Sequence, residues 1–130
     1  MSTIDLTTEN FNQTIEDNEI VLIDFWAGWC GPCKTFTPIY EELSESHPDL
    51  VFAKVDTESQ REIAAGFQIR SIPTLIVFKE QIVVFSQAGV LPRGTLEKLV
   101  SGVRELDMDE VRASIEKKRL EKNGESPEGS

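Results

Sequence analysis

The only two cysteines of the chain, Cys30 and Cys33, stand two residues apart in the segment Trp-Cys-Gly-Pro-Cys-Lys that ends at Lys34. Two thiols at this spacing at the start of a helix can close a disulfide with little movement of the backbone. One thiolate can attack a disulfide in another molecule, and the second thiol can then attack the mixed disulfide and release the reduced product. The pair therefore predicts two-electron thiol–disulfide exchange.

The spacing of the two cysteines is also compatible with half of a zinc site or with a purely structural disulfide. Zinc normally takes four ligands from Cys or His, but there is no second cysteine pair, and the one histidine, His47, stands beside Pro48 in a predicted, solvated loop. A structural bridge across so short a loop would remove little entropy from the unfolded chain and would stabilise weakly. Redox chemistry is the interpretation we adopt, with no metal site predicted.

Length and charge limit the classes of protein and partner. A chain of 130 residues suits one domain with a hydrophobic core. The formal net charge of −10 argues against non-specific binding to nucleic acid or anionic lipid. The N-terminus lacks the pattern of a secretory signal, and no apolar run approaches the ~18 residues that span a membrane. We expect a cytoplasmic protein, because catalytic disulfides cycle there while stable ones are rare.

The elements that must position the two thiols can be read from hydrophobic patterning. Thr7 is a candidate cap for a first helix. Residues 20–26 are apolar on both faces, which predicts a central strand. A helix then runs from the cysteines to about Ser46 and contains Pro38, which should kink it. Further along, the pattern predicts a strand over 50–55, a helix over 58–65, strands over 75–78 and 82–85, and a helix that begins at Pro92.

The last 24 residues differ in character from the α/β domain over residues 1–106. Residues 107–130 form a charged extension, in which a helix is expected from the acidic cap at 107–110 to about residue 122. Residues 123–130 are rich in Gly, Ser, Pro and Glu, and disorder is expected there. Two alternatives stay open for the helix: a solvated extension, or packing on its own domain or on a second copy.

The segment Phe-Trp-Ala-Gly-Trp-Cys-Gly-Pro-Cys-Lys over residues 25–34 resembles the active-site segment of the thioredoxin family, and the resemblance extends over about residues 5–106. It implies an α/β thioredoxin fold, a central mixed five-stranded sheet flanked by four helices, here followed by the partly helical extension. The further matching positions are Asp24, Pro38, Lys-Val-Asp at 54–56, Ile-Arg-Ser-Ile-Pro-Thr-Leu at 69–75, and Gly89.

The resemblance assigns roles to the residues of the dithiol. Cys30 is implied to be the attacking nucleophile, at the exposed start of the helix, where unpaired backbone N–H groups favour a thiolate. Cys33, one turn further on, is implied to be the more buried resolving thiol. Gly31 and Pro32 separate the two cysteines, and in the family a proline at this position accompanies a reducing dithiol.

Asp24 is the one acidic residue in an otherwise apolar strand. Burial of a lone carboxylate should raise its pKa. By resemblance, Asp24 is the proton acceptor for Cys33, and Lys54 tunes it. The alternative is a structural aspartate that is paired with Lys54, and the two interpretations are compatible.

A substrate groove is implied around Pro73, which by resemblance follows Ile72 through a cis bond and leaves a backbone edge facing Cys30 that an extended client can pair with. Trp26 is expected to pack under the site. The implied contact surface consists of Trp29, Gly31, Pro32, Ile72, Pro73, Ala88 and Gly89.

The resemblance implies a protein-disulfide reductase that acts as a general electron carrier. Its clients would be disulfide-containing proteins, and it would be re-reduced by a flavoprotein thioredoxin reductase that uses NADPH. No cofactor other than the Cys30–Cys33 disulfide is implied, no nucleic acid or membrane partner is expected, and the protein is expected to be a monomer. The alternative is a binding or adaptor module whose C-terminal tail docks a specific partner.

Overall fold

A mixed five-stranded sheet organises the chain, and the computed structural model describes residues 2–125 of it, with side chains through residue 122. The strand order is β1-β3-β2-β4-β5. No helix in this described range is long and apolar enough to cross a membrane. The strands are β1 (Thr3–Asp5), β2 (Ile20–Trp26), β3 (Val51–Asp56), β4 (Thr74–Lys79) and β5 (Ile82–Ala88). The helices are α1 (Phe11–Asp17), α2 (Gly31–Ser46), α3 (Arg61–Gly66), α4 (Arg93–Glu105) and α5 (Met108–Glu125).

Strand β2 lies at the centre of the sheet, parallel to β3 and antiparallel to β4. Its apolar residues are buried on both faces, as the sequence predicts for a central strand. On one face, side chains of α2 and α4 such as Phe36, Tyr40 and Leu96 form one core cluster. On the other face, Ile15 of α1 and Ile63 of α3 belong to a second. The sheet is therefore covered on both sides, and the five-stranded α/β fold is confirmed.

The pattern located β2 and the helix ending at Ser46 correctly but missed or misplaced shorter elements. Strand β1 was not assigned from the pattern, because three residues at a sheet edge carry no alternation that can be read. The first helix begins at Phe11 with Asn10 as its N-cap, so Thr7 as the cap is wrong. The Thr7 N–H instead donates to Asn10 Oδ1 at 2.7 Å, which holds a turn ahead of the helix.

The turn between β4 and β5 consists of Glu80 and Gln81, which both have positive φ angles of 51° and 71°. A two-residue hairpin turn normally uses Asn or Gly here, because those residues tolerate left-handed backbone. Glu80 has contacts that hold it in place: its N–H donates to the Glu19 carbonyl at 2.7 Å, and its carboxylate accepts from Arg112 at 2.6 Å. Tertiary contacts thus favour a turn that the local sequence does not.

Among its side chains described through residue 122, the C-terminal helix α5 packs on its own domain at its start and is exposed further along. Met108 is 4% exposed, whereas Leu120 is 56% exposed. The Asp107 carboxylate accepts from the N–H groups of Asp109 and Glu110, so the predicted acidic cap is confirmed. Both alternatives for the extension therefore hold in part, one for each end of the helix.

The disorder expected over residues 123–130 is wrong for 123–125, which continue α5 as helix. The remaining residues of that expectation, 126–130, lie outside the described range.

The junction between α4 and α5 is held by the buried side chain of Lys79, at the end of β4. Its ammonium donates to the carbonyl oxygens of Val103, Arg104 and Leu106 at 2.7, 3.1 and 3.0 Å. The last carbonyls of a helix have few backbone partners (here the Val103 carbonyl accepts from the C-cap N–H of Leu106, at 3.2 Å), and a cation there also complements the helix dipole. The hairpin therefore anchors the junction at which α4 ends and α5 begins.

The packing of α5 predicts unequal effects for two truncations on the same helix. Met108→Ala should lower the free energy of unfolding by about 2 kcal/mol or more, because it removes buried methylenes and leaves a cavity. Leu120→Ala is the matched control and should change it by less than about 0.5 kcal/mol, because the side chain is already in water. Urea unfolding of both variants measures the difference. Equal effects would show that the start of α5 does not pack on the domain.

Candidate functional site

The two cysteines lie at the N-terminus of α2, just beyond the end of the central strand β2. Cys30 is the N-cap residue of α2 and is joined to Cys33 by a disulfide, with their Cα atoms 5.2 Å apart. The Cys33 N–H donates to Cys30 Sγ at 3.1 Å. Because the first N–H groups of a helix lack partners within it, a thiolate formed at Cys30 would be stabilised there.

Both cysteines are buried in this disulfide state. Cys30 is 3% exposed and Cys33 is 2% exposed, so the expectation that Cys30 is the exposed member of the pair is wrong. The reason is local packing, since the two cysteines form a small cluster with Ala27 that is covered by Trp26 and Ile72. Little of the Cys30 surface is therefore accessible to a client in this state.

An open groove of about 380 Å³ borders Cys30. Trp29, predicted to contact substrates, is 70% exposed at its rim. The carbonyl oxygen of Ile72 lies 3.7 Å from Cys30 Sγ, and the Ile72–Pro73 bond is cis, as predicted. A backbone edge therefore faces the sulfur that would attack. The lining residues are Trp29, Cys30, Gly31, Pro32, Thr57, Ala64, Ile69, Arg70, Ser71 and Ile72.

Three predicted contact residues lie beside this groove instead of in its lining. The Gly89 N–H donates to the Pro73 carbonyl at 2.8 Å, and Ala88 pairs with Thr74 across the hairpin. Ala88 and Gly89 are exposed, and Gly89 has a φ of 102°, a conformation that residues with a side chain rarely adopt. They extend the exposed edge next to Pro73, and their contact with clients stays a prediction.

Sequence reasoning missed one wall of the groove, which Thr57, Ala64 and Arg70 help to form. Thr57 directly follows β3, and its N–H and hydroxyl both donate to the Trp26 carbonyl, at 2.9 and 3.1 Å. Because β2 and β3 are parallel, their carboxyl ends meet at one edge of the sheet, and this rule could have pointed to Thr57. Nothing in the sequence distinguishes Ala64 from other helical alanines.

Asp24 lies in β2 on the face covered by α2, with 1% of its surface exposed. Neither carboxylate oxygen has a hydrogen-bond partner among the described residues. Burial raises the pKa of Asp24 from 3.8 to about 7, while the Lys54 charge lowers it and the Glu41 charge raises it. A carboxyl group with this pKa can take up and release a proton near neutral pH, which the predicted role of Asp24 requires.

Lys54 stands opposite Asp24 in the register between β2 and β3. The alternative of a structural ion pair is wrong, because no salt bridge joins the two residues within the described range. The Lys54 ammonium instead lies 4.9 Å from the centroid of the Trp26 ring, where the aromatic face attracts it. Lys54 acts on Asp24 through space, and its tuning role stays a prediction.

The single histidine is not the solvated loop residue that the sequence suggested. His47 Nε2 lies 2.8 Å from Glu97 Oε1, Arg104 donates to Nδ1 at 3.1 Å, and the ring stacks on Phe52. It links the end of α2 to α4, far along the helix from the cysteines. Within residues 2–125, no group of three or more His, Cys, Asp or Glu side chains is arranged to hold a metal ion.

Comparison with known proteins gives the same family at the level of sequence and structure. The family model described as thioredoxin matches residues 2–102. A putative thioredoxin 2 from Streptomyces coelicolor is 59% identical over 114 residues, which are 88% of this chain and 85% of that protein. A thioredoxin from Alicyclobacillus acidocaldarius is 43% identical over 103 residues, covering 78% and 98%. The solved structure of a mutant thioredoxin from Halobacterium salinarum superposes with a TM-score of 0.75 at 30% identity, covering 82% and 94%.

The raised pKa of Asp24 predicts a pH-dependent gain in stability for Asp24→Asn. The folded carboxyl has a pKa of about 7 against 3.8 when unfolded, so the native state binds the extra proton and wild-type stability falls as the pH rises between these values. At ~1.36 kcal/mol for each pKa unit, the advantage of Asp24→Asn should grow by up to roughly 4 kcal/mol across this window. Urea unfolding of the oxidised protein at several pH values measures it.

The control for that series is Asp49→Asn. Asp49 is exposed, and its hydrogen bonds with Arg104 lower its pKa to about 2. Its linked stability is lost progressively as the pH falls from about 4 to about 2, so the effect of Asp49→Asn should change little from about pH 5 to pH 8. A constant effect for Asp24→Asn as well would show that Asp24 does not titrate near neutral pH.

Proposed function

The chain belongs to the thioredoxin family, and we propose that it is a general cytoplasmic electron carrier, reduced by NADPH through a flavoprotein thioredoxin reductase. It is a thiol–disulfide oxidoreductase that reduces protein disulfides with the Cys30–Cys33 pair. The observation that carries the proposal is this disulfide at the start of α2, with a backbone edge 3.7 Å from the sulfur of Cys30.

The reaction begins from the dithiol and ends in the disulfide state. The Cys30 thiolate attacks one sulfur of a client disulfide, so that a Cys30–client bond forms and the second client sulfur leaves as a thiolate. The Cys33 thiol then loses its proton and attacks Cys30 Sγ. This step forms the Cys30–Cys33 bond and releases the first client sulfur as a thiolate. Two electrons have then passed from the chain to the client.

Asp24 is the group that takes the proton from Cys33 in this proposal. It is buried on the sheet face beneath α2, and its pKa of about 7 places half of its carboxyl groups in the basic form at neutral pH. General-base catalysis is most effective when the pKa of the base lies near the working pH. The burial that destabilises the ionised carboxylate thus also makes it a suitable acceptor.

The electron source and the clients are proposed from the family, and the location is proposed from the redox chemistry. Thioredoxins generally act with a thioredoxin reductase and with disulfide-containing clients, and we assign both kinds of partner to this chain. The exposed Trp29 and the backbone edge at Ile72 are the surfaces that such proteins would contact. A cytoplasmic location fits a dithiol that must be kept reduced between turnovers. Nothing among the described residues favours the adaptor alternative.

Reduction of insulin disulfides tests the proposal directly. The chain, supplied with a bacterial thioredoxin reductase and NADPH, should precipitate the freed insulin B chain while NADPH is consumed. Cys30→Ser should abolish both signals, because no nucleophile remains. Wild-type protein that turns over only with a chemical dithiol, and never with the reductase, would contradict the proposed electron source. No turnover with either reductant would contradict the reductase function.

Cys33→Ser should trap the mixed disulfide between Cys30 and the client, which Cys33 resolves in the wild-type protein. Without the second thiol, the bond between Cys30 and the client persists, because serine cannot displace it. The expected product is a disulfide-linked conjugate with insulin, which runs at the summed mass on a non-reducing gel and collapses when dithiothreitol is added. Cys30→Ser is the control and should form little conjugate, since Cys30 lines the groove and Cys33 does not. Equal trapping by the two variants would reverse the assigned roles.

A further inference from the structure

A second acidic side chain, which the family assignment does not explain, reaches the buried side of α2. Glu41 is half-buried, and its Oε2 atom accepts a hydrogen bond from Thr3 Oγ1 at 3.0 Å. Its other oxygen, Oε1, is fully buried and has no hydrogen-bond partner among the described residues. Burial of an unpartnered carboxylate oxygen is unfavourable, so the position of Glu41 lowers the stability of the fold and points to a function.

The position of Glu41 relates it to Asp24. Thr3 stands opposite Phe52 in β3, and Asp24 stands opposite Lys54 two residues further along that strand. Because side chains alternate along a strand, Thr3, Asp24 and Lys54 are placed on the same face of the sheet, the face that α2 covers. The hydrogen bond from Thr3 therefore holds the Glu41 carboxylate on the same face of the sheet as Asp24, between this face and α2.

Four elements surround Asp24 on or beside this face, and two of them, β3 and α2, contribute the charges that act on it. β3 contributes Lys54 and α2 contributes Glu41, which act in opposite directions on Asp24. α2 also contributes Tyr40, whose hydroxyl donates to the Ala53 carbonyl at 2.9 Å and whose pKa burial raises well above 10. β4 places the apolar Leu75 opposite Asp24, and β1 places the exposed Asp5 opposite Lys54.

We propose that Glu41, anchored by Thr3, is a second carboxylate of the redox site, a positioning residue whose charge governs how readily Asp24 takes up and releases the proton of the Cys33 thiol. The inference rests on the proposed proton-acceptor role of Asp24. Glu41 does not touch the sulfurs. It acts on Asp24 through a poorly solvated region, where a charge is screened much less than at the surface.

The direction of the effect follows from electrostatics. A negative charge held near Asp24 disfavours a second negative charge there, so Asp24 keeps its proton to higher pH and is a stronger base once it has lost it. Neutralising Glu41 should let Asp24 ionise at lower pH. The negative charge of Glu42, one residue along, should have little influence, since its side chain is exposed and 3.3 Å from the Arg93 guanidinium.

The test compares Glu41→Gln with the matched control Glu42→Gln in the oxidised full-length protein. Glutamine keeps the size of the side chain and an oxygen for Thr3, and both variants remove one negative charge. The carboxyl carbon of Asp24 is titrated by NMR from about pH 5 to pH 9. Glu41→Gln should weaken proton binding at Asp24 at least about threefold, a fall of ~0.5 in its pKa, and Glu42→Gln should leave it within error. Equal titrations in the two variants overturn the inference.

The pH profile of insulin reduction is the second readout. A purely structural role of Glu41 would leave this profile unchanged. Glu41→Gln should shift the profile to lower pH in step with the NMR titration, whereas Glu42→Gln should not shift it. A titration that moves without the profile overturns the catalytic part of the inference. Failure of the proposed function would give different results. If the protein is not a reductase, the wild-type protein shows no turnover. If Asp24 is not the proton acceptor, Asp24→Asn leaves the pH profile unchanged.

Thr3→Val is the second variant, which keeps the inference testable if Glu41→Gln does not fold. Valine has the shape of threonine and suits a strand, but it cannot donate the hydrogen bond that holds Glu41. Released from this anchor, the Glu41 side chain can turn toward water, so the pKa of Asp24 should fall in the same direction and by less. A pKa of Asp24 that does not change in Thr3→Val contradicts the anchoring role of Thr3.

Discussion

The burial of β2 between two neighbouring strands and two layers of helices is the constraint on which the rest of the structure depends. β2 pairs with β3 on one side and β4 on the other, and its apolar side chains fill both core clusters. This burial holds the end of the strand rigidly, so that the loop after Trp26 delivers Cys30 to the first turn of α2. It also takes the Asp24 carboxylate out of water, which raises its pKa to about 7. The dithiol and its proton acceptor are thus two consequences of one packed strand.

The burial of Asp24 lowers the stability of the fold but supports the proposed function. An ionised Asp24 without a hydrogen-bond partner destabilises the fold at neutral pH, yet the proton transfer we propose needs that uncompensated carboxylate. The Lys54 charge lowers the pKa of Asp24 and the Glu41 charge raises it, and within the described residues Lys54 forms no direct ion pair with Asp24. Electrostatic tuning at a distance keeps the carboxyl group able to change its charge, whereas a salt bridge would hold it ionised.

The C-terminal extension is joined to the domain through the hairpin that also borders the substrate edge. Lys79 and Glu80, at the tip of this hairpin, contact the end of α4 and Arg112 of α5. Ala88 at the other end of β5 lies beside Thr74 and the cis-proline segment. The start of α5 therefore belongs to the packed domain, while the exposed remainder adds a polar helix to its surface.

The local sequence determined those parts of this protein that depend on neighbouring residues. The Cys30–Cys33 spacing, the apolar run of β2 and the isolated Asp24 were sufficient to predict the dithiol, the central strand and a raised pKa. Tertiary structure alone decided which distant groups meet these residues. Packing under Ile72 buries Cys30, the Thr3 hydroxyl holds Glu41 over the Asp24 face, and α4 draws His47 out of solvent. These three contacts join residues that are 38 to 50 positions apart in the sequence. A local sequence pattern therefore cannot predict them. The physical reason is that burial and electrostatic fields are set by whatever surrounds a group in space.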